Sequence, residues 1–375
     1  MRIKNIQVDI VKIPFRKPFT MAMWTSKEKI HVVARITSED GIVGIGESVP
    51  LVAEFGEPAK GIKEIIEQYF APVLIGVEIF DIEEIYRRMN AAVKFHWFAK
   101  STIDFAIYDL MGKTANVPLY SLLGGLNNDK ILLNWVIGIQ EPENAAKEAE
   151  YYFNKGYRSF KLKARESDRA INTLREVRAI VKDKAKIRVD ANQSWSVSEA
   201  IQTINKMEKF EPELIEQPVS YWNLEGMAQV RNATNIPIMA DEGVVTINDA
   251  IRAVRLGAAD IINLKIAKSA GIFYSRKIAD IAEGAGLECI IGSMLEGWIG
   301  TAASAHLAVS CKSVKKGCDL VGPLLHSDQI VKKENFGFKY EEGYLKLLPT
   351  IQSGLGVEID PLKLIQYQEK VNENN

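Results

Sequence analysis

Ile187-Arg188-Val189-Asp190, Leu214-Ile215-Glu216 and Ile236-Pro237-Ile238-Met239-Ala240-Asp241 are three short apolar runs, each ending in a carboxylate. Ser159-Phe160-Lys161-Leu162-Lys163 precedes them, and Ile261-Ile262-Asn263-Leu264-Lys265 and Cys289-Ile290-Ile291-Gly292-Ser293 follow. Strands this continuously apolar belong to a parallel sheet covered by helices. Their terminal polar residues, from Lys163 to Ser293, are spaced by 27, 26, 25, 24 and 28 residues. One strand, one helix and two loops fill such a step, and a regular series of them is a β/α barrel. Helical patterns occupy the intervals, over 142–155, 169–181, 197–209, 224–233, 247–255 and 272–283. The third opens on a capping box, Ser196 with Glu199. A doubly wound sheet alternates in the same way but does not place a reactive side chain at the carboxyl end of so many successive strands.

Upstream the rhythm is different. Residues 3–14 alternate apolar and polar, as a half-buried strand does, and His31–Ile36 and Ile42–Glu47 are further strands. Ser38-Glu39-Asp40-Gly41 between them is a hairpin turn. Helices are expected over 59–70, 82–92 and 98–113, the last stopped by Asn116-Val117-Pro118. Residues 1–125 are therefore an α+β unit and 126–344 the α/β barrel, with the tail 345–375 expected to return to the first unit.

Composition narrows the function. Of 375 residues 47% are hydrophobic and 25% charged, the average for a folded soluble protein. Lys plus Arg number 47 and Asp plus Glu 48, a net charge of −1 with no general pull toward nucleic acid or an anionic membrane. The amino terminus lacks a signal-peptide core and no apolar run reaches about 18 residues, so a cytoplasmic protein is expected. Cys289, Cys311 and Cys318 are too scattered for a disulfide framework or a zinc site. The glycines between Gly41 and Gly46 lie in a hairpin strand, not between a strand and a helix, so they are no dinucleotide fingerprint.

Active sites of β/α barrels lie at the carboxyl ends of the strands. Asp190, Glu216 and Asp241 end three successive strands and would converge there. Three adjacent carboxylates cannot all stay ionised without a cation. Oxygen ligands with no histidine or thiolate among them suit Mg²⁺, for which Mn²⁺ can substitute. Lys161 and Lys163, two apart on one strand, share a face and point into the mouth; Lys265 arrives from the other side of the trio. Carboxylates, a metal and flanking amines together fit proton abstraction α to a carboxylate. That step creates an enediolate whose charge the metal and an ammonium stabilise. The lysine that acts as base has to be neutral, its pKa brought from about 10.4 toward ~7–8.

These residues resemble the enolase superfamily, in particular its muconate-lactonising subgroup. The motifs are Lys161-Leu162-Lys163, Val189-Asp190-Ala191-Asn192, Ile215-Glu216-Gln217-Pro218, Ala240-Asp241-Glu242 and Asn263-Leu264-Lys265. Gly41-Ile42-Val43-Gly44-Ile45-Gly46-Glu47 and the stretch from Ile103-Asp104 to Leu123-Gly124-Gly125 match in the first unit. The pairing of a lysine base with Mg²⁺ in this superfamily is general knowledge of enzyme chemistry. The resemblance implies an α+β capping domain over a modified (β/α) TIM-type barrel. It implies Mg²⁺ on Asp190, Glu216 and Asp241, with Asn192 and Glu242 beside these ligands. Lys163 and Lys265 would be acid/base residues on opposite substrate faces, and Lys161 an electrostatic helper. The mandelate-racemase branch uses a histidine base at a strand end, a position that neither His306 nor His326 fits.

Met294-Leu295-Glu296-Gly297 and Leu320-Val321-Gly322-Pro323 resemble muconate cycloisomerases, N-acylamino-acid racemases and dipeptide epimerases alike. Dipeptide epimerases carry an Asp-x-Asp in the last barrel segment; here the run is Asp319-Leu320-Val321, which counts against an unblocked dipeptide. Met21, Met23, Trp24 and Phe55 from the first unit, with Glu296 and Trp298, are the expected substrate contacts, suited to an apolar or cationic substituent. The expected substrate is a small-molecule carboxylate, and a homo-oligomer is compatible with such barrels. The leading expectation is a racemase or epimerase of an N-substituted amino acid. A muconate-type cycloisomerase, a succinylbenzoate synthase-like dehydratase, and a Schiff-base aldolase with Lys265 as nucleophile are the alternatives.

Overall fold

The computed structural model describes residues 1–20, 25–334, 336–349 and 353–368. Three antiparallel strands open the chain: β1 (Ile3–Thr20), β2 (Thr25–Ser38) and β3 (Val43–Ser48). The β2–β3 turn holds Gly41 at φ 82°, and its N–H donates to Ser38 O at 3.0 Å. Helix Trp97–Ala115 lies so close on β3 that a Cβ at Gly44 or Gly46 would collide with the carbonyls of Ala106 and Thr102. The glycine cluster therefore serves backbone-to-backbone packing. The expected helix 59–70 continues to Leu74 and contains a π-helical stretch, Ile65–Phe70.

Seven parallel strands follow in sequence order around one sheet. They are β5 (Trp135–Ile137), β6 (Ser159–Lys163), β7 (Lys186–Asp190), β8 (Leu214–Glu216), β9 (Ile238–Ala240), β10 (Ile261–Leu264) and β11 (Glu288–Ile291). A helix lies between each consecutive pair. Residues 314–319 close the ring: Val314 bridges to Cys289 of β11, and Cys318 bridges to Leu133 just before β5. The fold is a modified (β/α) barrel with an N-terminal α+β domain. All three cysteines are buried and free.

The tail divides differently from the cut expected at residue 344. A hairpin of β12 (Phe338–Glu341) and β13 (Tyr344–Leu347) pairs with β4 (Lys130–Leu132), so that cut falls inside the hairpin. Alternation in a short hairpin looks alike on either side of its turn, and only its pairing partner assigns it. Beyond it, Leu119 N donates to Gly354 O, Leu355 N donates to Asp109 Oδ1, and Gln368 bridges to Val11.

Two buried carboxylates join the first domain to the barrel. Glu47 accepts the N–H groups of Gly297 (2.8 Å) and Gly300 (2.7 Å) at the start of helix Trp298–Ser310, and lies 2.5 Å from His31 Nδ1. Asp104 accepts Ile272 N at 2.6 Å and Phe273 N at 3.3 Å at the start of helix Ile272–Gly284, and Tyr86 Oη donates to it at 2.7 Å. Burial outweighs these donors and pushes the Asp104 carboxyl up to about 7. An acid raised in the native state binds more protons folded than unfolded, so its stabilising contribution is complete below about pH 4 and is lost as pH rises toward about 7. Asp104→Ala leaves the buried Ile272 and Phe273 N–H groups unpaired, while Tyr86 Oη keeps the Ala270 carbonyl, and is expected to cost about 2–4 kcal/mol at about pH 5, and less at about pH 8. Urea unfolding at the two pH values measures both.

Candidate active site

Parallel pairing sets the reactive side chains beside one another. Lys163 of β6 pairs with Asp190 of β7, and Asp190 with Glu216 of β8. Glu216 pairs with Met239 of β9, and Asp241 lies two residues further, on the same face. Lys265 follows the last residue of β10. In ring order, therefore, Lys163 and Lys265 bracket the three carboxylates, which are all fully buried.

Lys161 Nζ sits among Glu216 Oε2 (2.6 Å), Asp319 Oδ2 (2.9 Å) and Asp190 Oδ2 (3.0 Å). Lys163 Nζ lies 2.7 Å from Asp190 Oδ2 and donates to Asn192 Oδ1 at 2.8 Å. Lys265 Nζ is 2.5 Å from Asp241 Oδ2, while Lys268 Nζ bonds both Asp241 Oδ1 (2.8 Å) and the Asp241 carbonyl. Neutral groups hold the rest. Asn263 Nδ2 donates to Glu216 Oε1 at 2.8 Å, Asn192 Nδ2 to Glu242 Oε1 at 3.0 Å, and Gln217 Oε1 accepts Asp241 N at 2.9 Å.

The electrostatics follow from this crowding. Burial raises every carboxyl here, but Lys161 and Lys163 hold Asp190 down at about 2. Lys265, Lys268 and Lys161 likewise hold Asp241 well below the carboxylate range. Glu216 goes the other way, raised well above its usual value by burial and by Asp190. Burial and Asp241 push Glu242 up to about 7. The Lys265 ammonium would be disfavoured by burial, yet Asp241 and Glu54 outweigh that and raise it. For Lys265 the lowered base expected from sequence is not what this pairing gives, because its ammonium itself neutralises Asp241.

Among the described residues no three His, Cys, Asp or Glu side chains already stand at metal-ligating spacing. The donor chemistry nevertheless fits a hard divalent cation: three carboxylates, no sulfur or imidazole. Glu216 Oε2 and Asp241 Oδ2 are buried against ammonium groups, Lys161 at 2.6 Å and Lys265 at 2.5 Å, so these oxygens already gather positive charge where a cation would sit.

The amines open on an inner chamber of about 20 Å³, lined by Lys161, Lys163, Lys265, Asp319 and, from the first domain, Phe19 and Leu51. Of the expected substrate contacts, Phe55, Glu296 and Trp298 do not line it. Glu296 is buried behind the chamber, its Oε2 accepting Ser293 Oγ (2.5 Å) and Met294 N (3.0 Å). Trp298 packs in an aromatic cluster with Phe336 and Tyr340, and Phe55 packs on Phe98. Met21, Met23 and Trp24 lie outside the described residues. Lys268 was not expected, since it follows β10 in a turn outside any strand period. Asp319 stands out in the sequence for its missing acidic neighbour, although the barrel rhythm would place it at the end of the closing segment.

Residues 5–124 match the family model of the mandelate racemase / muconate lactonizing enzyme N-terminal domain, and residues 144–363 match the enolase C-terminal domain-like model. The chain belongs to the enolase superfamily. Within this superfamily it is 35% identical over 362 residues to L-Ala-D/L-Glu epimerase of Clostridium acetobutylicum, covering 96% of this chain and 99% of that one. Muconate cycloisomerase 1 of Rhodococcus opacus is 32% identical over 365 residues, 96% of each chain. A dipeptide epimerase of Enterococcus faecalis V583, solved with Mg and L-Leu-L-Tyr, superposes with a TM-score of 0.91 at 36% identity, covering 96% of this chain and all of that one. Enolase-superfamily enzymes bind a divalent metal.

Proposed function

We propose that this protein is a Mg²⁺-dependent racemase or epimerase acting on the carbon α to the carboxylate of an N-substituted amino acid. The observation that carries this is the bracketing of the carboxylate trio by Lys163 on one side and Lys265 on the other. A proton removed from one face and returned to the other inverts the centre, which takes two proton carriers on opposite faces. The epimerase and dipeptide-bound relatives support the substrate class, since the second residue of a dipeptide is an N-acylated amino acid.

Asp190, Glu216 and Asp241 would hold the metal, which as a Lewis acid supplies charge stabilisation at the substrate carboxylate. Lys268 and Gln217 keep Asp241 oriented, and Asn263 does the same for Glu216. The lone pair of one amine, Lys163 or Lys265, takes the α-proton, and the enediolate that results receives a proton from the ammonium of the other. Lys161 adds a fixed positive charge beside the developing oxyanion. The small chamber walled by Phe19 and Leu51 excludes bulk water from the exchanging proton.

Incubation in D₂O with N-acylamino acids, dipeptides and muconate, followed by mass spectrometry, tests the reading. Gain of one mass unit at the α-carbon with loss of optical rotation is expected for an N-acylamino acid. Exchange confined to muconate, with lactone as product, would replace the racemase by a cycloisomerase. Reduction by borohydride that fixes a ketone on Lys265 would replace it by an aldolase.

A further inference from the structure

The inner chamber, about 20 Å³, holds little more than a water molecule beyond its walls, whereas a cleft of about 810 Å³ lies directly outside it. Phe19 and Val136 border both. A third, smaller hollow joins the cleft to Lys163 past Ile139 and Gln140. A space of that size cannot take a whole substrate among the lysines, so the part remote from the reacting carbon extends into the cleft. Its volume is that of an ordinary small-molecule site.

The walls of the cleft have a definite chemistry. Its floor is apolar: Trp135 stacks on Tyr152 with ring centroids 3.4 Å apart. Its single carboxylate is already spent, because Glu148 accepts Trp135 Nε1 at 2.9 Å and Gln140 Nε2 at 2.7 Å. Arg16, Lys17 and Lys147 stand exposed around it. Among the described residues these three form no ion pair, and Arg16 is anchored by its Nε on Leu324 O at 3.1 Å, which leaves its terminal nitrogens for a ligand. A net positive rim over an aromatic floor, in a chain whose total charge is near zero, is a local feature built for an anion on an apolar spacer.

We infer that this cleft is the subsite for the far end of the substrate, and that the substrate carries a second anionic group there, separated by an apolar spacer from the carboxylate at the reacting carbon. The inference rests on the racemase reading for the position of the reacting carbon. A second carboxylate can come from the N-acyl group or from the amino-acid side chain; the cleft recognises either by the same charges.

Calorimetric titration of the magnesium-loaded enzyme with N-succinylglycine, N-acetyl-L-glutamate and N-acetylglycine tests it. At least one of the two anionic-tailed probes is expected to bind about tenfold tighter than N-acetylglycine, and which one does so assigns the source of the anion. That advantage should shrink as added salt screens the rim. It should disappear in the double variant Arg16→Gln, Lys147→Gln. Equal affinity for all three probes, or an advantage that survives the double variant, would overturn the inference. The same probes in their chiral forms, N-succinyl-L-leucine against N-acetyl-L-leucine, are then followed by α-deuterium exchange. A retained binding preference with no exchange on any amino acid would sink the racemase reading while leaving the anion subsite standing.

Discussion

Replacing Lys265 with alanine is expected to abolish inversion of the substrate centre, with kcat reduced roughly 10²–10⁴-fold, and Lys163→Ala is expected to do the same. Each variant keeps one amine, and that amine still reaches one face. α-Deuterium exchange without inversion should therefore persist for one enantiomer in Lys163→Ala and for the opposite enantiomer in Lys265→Ala. Chiral chromatography beside mass spectrometry separates the two events. Full turnover in either single variant would exclude a two-base mechanism and favour a reaction that needs one proton carrier. Lys161→Met should behave differently again. It leaves both carriers in place but removes the ammonium that three carboxylates surround, so loss of rate should come without a change in facial selectivity.

Removal of divalent metal by EDTA is the second large effect expected. Activity should fall to background and return with added Mg²⁺, and with Mn²⁺ as a substitute, since the ligands are oxygens alone. Stability gives a readout that does not depend on turnover. A cation that binds only the native state stabilises it by about 2.7 kcal/mol at a hundredfold excess over its Kd, so the melting temperature should rise with Mg²⁺. Glu216→Gln should remove most of that rise. It keeps the hydrogen-bond shape but not the charge, and Glu216 is the member of the trio whose carboxyl burial and Asp190 push up, a shift that a bound cation would oppose. A melting temperature indifferent to Mg²⁺ in the unsubstituted protein would refute the assignment of Asp190, Glu216 and Asp241 as ligands.

Strand ends were the legible part of this chain. A parallel barrel repeats one unit, so Lys163, Asp190, Glu216, Asp241 and Lys265 announce themselves by their spacing, and the adjacent pairing of β6, β7 and β8 follows from the same rhythm. Contacts made outside the strand rhythm, by irregular turns or by distant segments, were not legible in this way. Glu296 looks like a free carboxylate near the last strand, but the turn from Ser293 folds back and uses up its oxygen. Trp298 sits on a helix whose exposed-looking first turn is covered by the aromatic hairpin around Phe338 and Tyr340, more than thirty residues away. Phe19 and Leu51 reach the chamber only because the first domain is clamped over the barrel mouth, which no local period encodes.

The clamp through Glu47 bears on how this enzyme can change. Helix Trp298–Ser310 starts on amides tied to a carboxylate of the first domain, and Met294 and Leu295, which line the chamber, hang from the same turn. A graft that swaps the first 125 residues for those of a cousin therefore carries off half of a joint. Such hybrids should need residues 293–300 transplanted from the same donor, and these two distant stretches are constrained to evolve as one inherited block.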